Sequence, residues 1–221
     1  MEVLQVKKRN IIITSIFLPI ILFVTISVIC KFDFINAIDS FVFKCVHSTR
    51  NVVFDYLFTT ITLFGESKTI IVLAVVLLLI PKHQKLFLPL IVCLILSTGV
   101  NMCMKELIQR ARPVGVFLPN PPYNYDMPTS FSFPSGHSQN GFLFYFLLLY
   151  VLMRKYFKNH KNKKAIMIAS TVVIALIPFS RIYLGVHFFT DVLVGTLLGL
   201  LFVFWFMFVF EKYENKFCGR D

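Results

Sequence analysis

Acidic side chains are scarce in this sequence. Its 221 residues carry 11 Asp and Glu against 22 Lys and Arg, and the four charged types together make up only 15%, well below the roughly 25% of a soluble domain. That shortage excludes a solvated surface over most of the chain. Cysteine has no pattern: Cys30, Cys45, Cys93, Cys103 and Cys218 show no CxxC spacing and lie mostly in or beside apolar segments, which argues against a disulfide framework and a zinc site. No small-residue cleavage site follows the N-terminal Lys7-Lys8-Arg9 and the apolar run from Ile11 to Cys30, so this run reads as a retained first span and not as a signal peptide. Between residues 10 and 210 no polar stretch is long enough to form a separate soluble core.

What is present is apolar: 57% hydrophobic residues, 26 of them Phe, and a mean hydropathy of +0.76. Lipid is therefore the expected solvent. Apolar windows fall at about 10–30, 68–82, 86–107, 136–156, 164–181 and 188–210, each near the roughly 20 residues that cross about 30 Å of hydrocarbon as a helix. The expectation is an all-α polytopic membrane bundle, a single domain over 1–221 with six transmembrane helices. The mixed region 37–66, where Asp39, Lys44, Arg50 and Asp55 interrupt an apolar pattern, is expected to be an interfacial amphipathic pair of helices before the second span.

The formal charge of +11 is compatible with nucleic-acid binding in principle, but the basic residues cluster in short loops between apolar runs, as they do in a membrane protein that fixes its orientation. No nucleic-acid partner is expected. Fourteen Lys and Arg fall on the side of both termini, among them Arg154, Lys155, Lys158, Lys161, Lys163 and Lys164, and eight on the other. The positive-inside rule then puts both termini in the cytoplasm.

Three segments bring charge, histidine and helix breakers to the outer ends of spans three to six. In Lys105-Glu-Leu-Ile-Gln-Arg-Ala-Arg112-Pro113, the cations at Lys105 and Arg112 are seven apart, two helical turns, so both project from one face, and Pro113 ends the span there. The same pattern also fits a basic cluster snorkelling to headgroups. In Phe133-Pro134-Ser135-Gly136-His137-Ser138, Pro, Ser and Gly at a helix start leave backbone N–H groups free beside the positive helix end, a site for an anion. An ordinary capped helix with a solvated histidine fits equally. In the third segment, from Ser180-Arg181 to His187 and Asp191, the last two are four apart. On a helix starting near 187 the carboxylate lies one turn from the imidazole, where it can hold the Nδ1 proton and leave Nε2 as a nucleophile. A structural His–Asp pair is the alternative, although ionisable groups in an apolar span point to function.

Together the three segments resemble the signature of the type 2 phosphatidic acid phosphatase family, K-x6-RP, PSGH and SR-x5-H-x3-D, matched at Lys105, Arg112 and Pro113, at Pro134, Ser135, Gly136 and His137, and at Ser180, Arg181, His187 and Asp191. The resemblance implies an integral membrane lipid phosphatase. In that reading Lys105, Arg112, Ser135, Gly136 and Arg181 hold the phosphate, His187 attacks phosphorus to form a phosphohistidine, Asp191 stabilises the charged imidazole, and His137 serves the leaving group and then water. No cofactor is implied, and a divalent metal is disfavoured beside three cations.

Other readings remain beside this one. A lipid phosphotransferase would use the same phosphohistidine with a hydroxyl acceptor. Vanadium-dependent haloperoxidases are similar at these motifs but are soluble. An anion or proton transporter would spread polar residues along span interiors, where only Asn101 and Asn140 stand out. The resemblance allows undecaprenyl diphosphate, phosphatidylglycerophosphate, phosphatidic acid or lipid A phosphate as substrate, entering from the outer leaflet. The proline-rich loop 114–132 is the candidate specificity lid, or else a tethered surface loop. The sequence sets no oligomeric state.

Overall fold

A computed structural model of the chain describes residues 2–80, 84–114, 128–157 and 160–217. Among them are eight α-helices: α1 Glu2–Ile29, α2 Asp33–His47, α3 Val52–Phe64, α4 Ser67–Leu78, α5 Gln84–Ile108, α6 Phe142–Lys155, α7 Lys163–Tyr183 and α8 Phe189–Phe217. A π-helical turn, His137–Gly141, leads directly into α6. The middle of the 114–132 loop, residues 115–127, lies outside the described residues, as does Cys218.

The helical class is as expected, while the six expected spans do not all correspond to single long helices. Among the described residues four helices are long and apolar enough to cross a membrane: Lys8–Ile29, Phe87–Ile108, Lys163–Tyr183 and Phe189–Phe210. A fifth crossing arises if α3 and α4, bent by 46° at their junction, are taken together. The second span was expected over 68–82 with α3 at the interface. However, α4 has only 12 residues, about 18 Å of helix, so it needs α3 to approach the hydrocarbon thickness. The expected fourth span is built from the π turn and the 14-residue α6, which is too short to count alone. These apolar helices make the chain a multi-pass membrane protein, and its surface agrees. Phe23, Val53, Ile95, Met102 and Leu107 are among many large apolar side chains left exposed, a costly pattern in water and the natural one against lipid tails.

Helix α8 is the axis of the bundle, packing against α1, α2, α5, α6, α7 and the π turn. One cluster of buried side chains, including Leu90, Leu143, Phe144, Leu147, Val203 and Phe210, joins α5, α6 and α8. A second, with Ile21, Val24, Ile35, Phe133, Val194 and Leu198, ties α1 and α2 to the other half of α8. Close approach of α8 to the π turn depends on Gly195 and Gly199, four residues apart. A Cβ at Gly195 would lie 2.5 Å from the Ser135 carbonyl oxygen, and one at Gly199 2.7 Å from that of Gln139. Small residues at this spacing let backbones touch.

The π turn is bound from its other side by α5. Asn101 donates to the Gln139 side chain (2.9 Å) and Gln139 to Ser97 (2.8 Å to its carbonyl oxygen, 2.9 Å to Oγ), while Asn140 donates to Thr98 (3.0 Å) and accepts from Ser97 (2.8 Å). Asn101 and Asn140, the deep polar residues named for the transporter reading, are thus engaged in holding the turn. Buried amides paired in this way fix one geometry.

Candidate active site

The three motifs meet, but the chain delivers them differently from the helical spacing. Helix α5 ends at Ile108, and Gln109 takes the left-handed region at φ 50°. Arg112 is therefore not two turns above Lys105 on one helical face. It lies in the connection that follows, turned back over the bundle, where Nε donates to the Ser130 carbonyl (2.8 Å) and Nη1 to that of Val186 (2.8 Å). Lys105, in the last turn of α5, donates to the Phe131 carbonyl.

Helix α7 ends in a turn that its sequence dictates. Leu184 is the C-cap and Gly185 follows at φ 68°, a conformation that glycine adopts without a Cβ penalty. The Gly185 amide bonds the Ile182 carbonyl (3.0 Å) and the Val186 amide that of Arg181 (3.2 Å), the paired bonds of a Schellman stop. The chain reverses at once, so His187 comes back beside Arg181 with its amide 3.3 Å from the Arg181 carbonyl oxygen. Arg181 itself is fully buried and donates to Thr62 Oγ1 of α3 at 2.5 Å.

His187 was expected at the start of the sixth span, one turn from Asp191. Helix α8 instead begins at Phe189, and Asp191 turns back to accept from the Phe188 amide at 2.9 Å, the reach of a capping carboxylate at the third helical position. His187 Nδ1 lies 3.5 Å from Asp191 Oδ2, at the outer limit of a hydrogen bond. The Ser132 hydroxyl fills the interval: it donates to Asp191 Oδ2 and its oxygen is 3.4 Å from His187 Nδ1.

Directions in this chain of bonds are fixed by chemistry. Arg112 Nη1 lies 3.0 Å from His187 Nε2, and guanidinium has donors only. Nε2 must therefore be the bare nitrogen, Nδ1 carries the proton, and that proton faces a serine whose own hydrogen goes to Asp191. His187, 2% exposed, sits in the connection between α7 and α8. Burial, then the charges of Arg112, Arg181 and Lys105, hold its imidazole well below the usual histidine range, so the ring is neutral at neutral pH.

His137 opens the π turn. It lies within electrostatic reach of Arg181, His187, Arg112 and Lys105, and its Nε2 is buried without a hydrogen-bond partner among the described residues. Ser135 is buried and its Oγ is 2.8 Å from that of Ser138. Its amide is donated to the Asp191 carbonyl at 3.0 Å. Gly136 leaves room for Asn101, whose Oδ1 would stand 3.1 Å from a Cβ there.

Five neighbours escaped the sequence reading. Thr62 and Ser132 are unremarkable hydroxyls in sequence. Arg110 lies inside the x6 stretch, and Asp39 and Thr190 belong to segments read as interfacial or as helix start. Arg110 donates to Asp191 Oδ1 (2.5 Å), Asp39 Oδ2 (2.6 Å) and Thr190 Oγ1 (2.8 Å). Asp39 accepts from the Thr190 amide (2.9 Å) and hydroxyl (2.8 Å). The only early signal for Asp39 was a carboxylate amid apolar neighbours in α2.

The chain matches the PAP2 superfamily over residues 86–214, which contains all three motifs. It is 40% identical to phosphatidylglycerophosphatase B of Bacillus subtilis (strain 168) over 124 residues, 55% of this chain and 58% of that relative. It is 24% identical to the undecaprenyl-diphosphatase of Sulfolobus acidocaldarius over 174 residues, 78% and 77% of the two chains. The crystal structure of a transmembrane PAP2 type phosphatidylglycerolphosphate phosphatase from Bacillus subtilis superimposes with a TM-score of 0.77 at 30% identity, covering 89% of this chain and 94% of that one. With the family pattern spanning more than half of the chain and the fold shared along most of it, this protein belongs to the PAP2 superfamily.

Proposed function

We propose that the protein is an integral membrane lipid phosphatase that hydrolyses a phosphate or diphosphate monoester of a lipid through a phosphohistidine at His187, on the outer face of the membrane. The observation that carries this reading is a neutral imidazole whose bare Nε2 faces Arg112 at 3.0 Å, with Lys105, Arg181 and His137 acting on the same ring or beside it. The relatives' names, phosphatidylglycerophosphatase and undecaprenyl-diphosphatase, support the same chemistry.

In this mechanism a phosphate displaces the Arg112 contact from Nε2. The guanidinium exchanges a neutral acceptor for anionic oxygens, a stronger bond, and Lys105 and Arg181 take the remaining charge. Nε2 forms its bond to phosphorus as the bond to the lipid oxygen breaks, and His137 gives that oxygen a proton. The ring becomes cationic, and its Nδ1 proton is held through Ser132 toward Asp191. Water then attacks phosphorus, His137 takes the water's proton, and inorganic phosphate leaves with Nε2 restored. The substrate's negative charge offsets the surrounding cations and so favours the protonated His137 that the first step uses.

No metal enters this scheme. A divalent ion at His187 would face Arg112 at contact distance, with Arg181 and Lys105 adding repulsion. Activity should persist in EDTA, and complete loss that Zn²⁺ or Mg²⁺ restores would refute this. The main test is phosphate release by purified enzyme from undecaprenyl diphosphate, phosphatidylglycerophosphate, phosphatidic acid and lipid A, with His187→Ala as control. Release from at least one lipid, abolished in the control, is expected. Phosphate appearing only on an added hydroxyl acceptor would convert the reading to phosphotransfer, and a control keeping half its rate would exclude His187 as nucleophile.

A further inference from the structure

We infer that Arg110 and Asp39 are positioning residues of the reaction, a neutral pair by which the outer helix α2 fixes the orientation and preserves the charge of Asp191. The inference rests on the phosphohistidine reading. Asp191 is fully buried and divides its oxygens between two tasks. Oδ2 receives Ser132 and the Phe188 amide, the side that serves His187, while Oδ1 is gripped by Arg110 Nη1 at 2.5 Å. A fork with both arms occupied holds the carboxylate in one plane.

Arg110 is itself held at several points. Its Nη2 meets Asp39 at 2.6 Å, its Nη1 also meets Thr190 Oγ1 at 2.8 Å, and its guanidinium carbon stands 4.1 Å above the Phe188 ring. Asp39 is 2% exposed, although it lies on a helix that looks amphipathic in sequence. It is fastened to the amide and hydroxyl of Thr190 at the start of α8, the positive end of that helix. The two acids and Thr190 thus lock α2, the 109–113 connection and α8 into one unit.

Charge explains why Asp39 is needed. Arg110 alone would cancel the charge of Asp191, and the carboxylate could then do little for a cationic His187. With Asp39 on its other arm Arg110 is neutralised, and the three groups together keep one negative charge beside the ring that becomes positive. Geometry comes from Arg110 and the electrostatic balance from Asp39.

The test uses the full-length enzyme purified in detergent, with thermal unfolding read alongside kinetics. Asp39→Asn keeps the shape and removes the charge; kcat should fall about 10- to 100-fold, the size seen when a partner that orients a reacting group is lost, with KM within about threefold because the phosphate-binding cations are untouched. Arg110→Lys keeps the charge but cannot hold Asp39 and Asp191 at once, and should give the same split with a smaller loss. Should Asp39→Asn not fold, Arg110→Lys decides the matter alone. Variants with lowered melting temperature but wild-type kcat per folded molecule would show a structural role only and overturn the inference, as would a kcat loss matched by an equal rise in KM. His187→Ala separates the two claims: if it still turns over lipid the phosphohistidine reading fails, whereas a silent His187→Ala beside wild-type kinetics in both variants sinks the positioning role alone.

Discussion

The Ser132 hydroxyl between His187 and Asp191 gives the sharpest quantitative expectation. Ser132→Ala removes an oxygen that donates to Asp191 Oδ2 and stands 3.4 Å from His187 Nδ1. A hydrogen bond to an ionised group contributes about 1.5–3 kcal/mol, and in the proposed mechanism the demand for it rises when the attacking ring becomes cationic. At roughly 1.4 kcal/mol per tenfold in rate, kcat should drop about 10- to 150-fold. The structure also sets an upper bound. Asp191 keeps its Phe188 amide at 2.9 Å and Arg110 at 2.5 Å, so it remains oriented, and a residual Nδ1–Oδ2 approach of 3.5 Å persists. The loss must therefore stay well short of that caused by Asp191→Asn. The assay is steady-state phosphate release in detergent micelles at saturating lipid, with Ser132→Cys, a weaker donor, falling between Ala and wild type. A Ser132→Ala enzyme within about twofold of wild type, or one as slow as Asp191→Asn, would refute the serine relay, since the 10-fold lower bound above comes from a single such bond.

Asp191→Asn should itself cost up to about 10⁴ in kcat with little change in KM, by analogy with the tautomer-fixing acid of Ser-His-Asp enzymes; unchanged turnover would end that role. Attack requires unprotonated Nε2, and the depressed His187 ring keeps it so to below the ordinary histidine value of 6.5. Because Arg112 is the largest charged contributor to that depression, Arg112→Gln should move the acid limb of kcat/KM upward on the same substrate, and a limb that stays in place or moves down would contradict the assignment. Gly195→Ala should lose about 1–3 kcal/mol through overpacking, because the new Cβ would meet the Ser135 carbonyl oxygen at 2.5 Å. Gly99→Ala, with nothing within 4 Å, should be neutral or gain about 0.5–1 kcal/mol; equal melting temperatures for the two would refute the packing argument.

The uneven legibility of this chain has a physical cause. Lys105, Arg112, His137, Arg181, His187 and Asp191 could be picked out in the sequence because breakers lie near them: Pro113 comes shortly after the end of α5, Pro134 shortly before the π turn and Gly185 just after α7, and charged residues near such breaks between apolar runs are conspicuous. What the helical spacing could not convey was the backbone beyond each stop. A left-handed residue at Gln109 and a Schellman turn at Gly185 carry Arg112 and His187 off the helices on which period counting had set them. Two of the expected spans are not single helices for a related reason, since periodicity does not reveal that α4 follows α3 across a 46° bend.

Asp39, Arg110 and Ser132 were illegible in a deeper sense. A charge on an amphipathic segment reads as solvated, and only packing reveals that Asp39 is 2% exposed with three hydrogen bonds from two other parts of the chain. Burying that carboxylate is costly, and desolvation raises its pKa against the pull of Arg110 and the Thr190 donors. A fold that needed only an anchor for α2 could have used apolar contacts there at lower cost. Retaining two acids around one guanidinium makes sense if the arrangement sets charge and direction at Asp191, and this is why the decisive measurement on Asp39→Asn is kcat and not melting temperature.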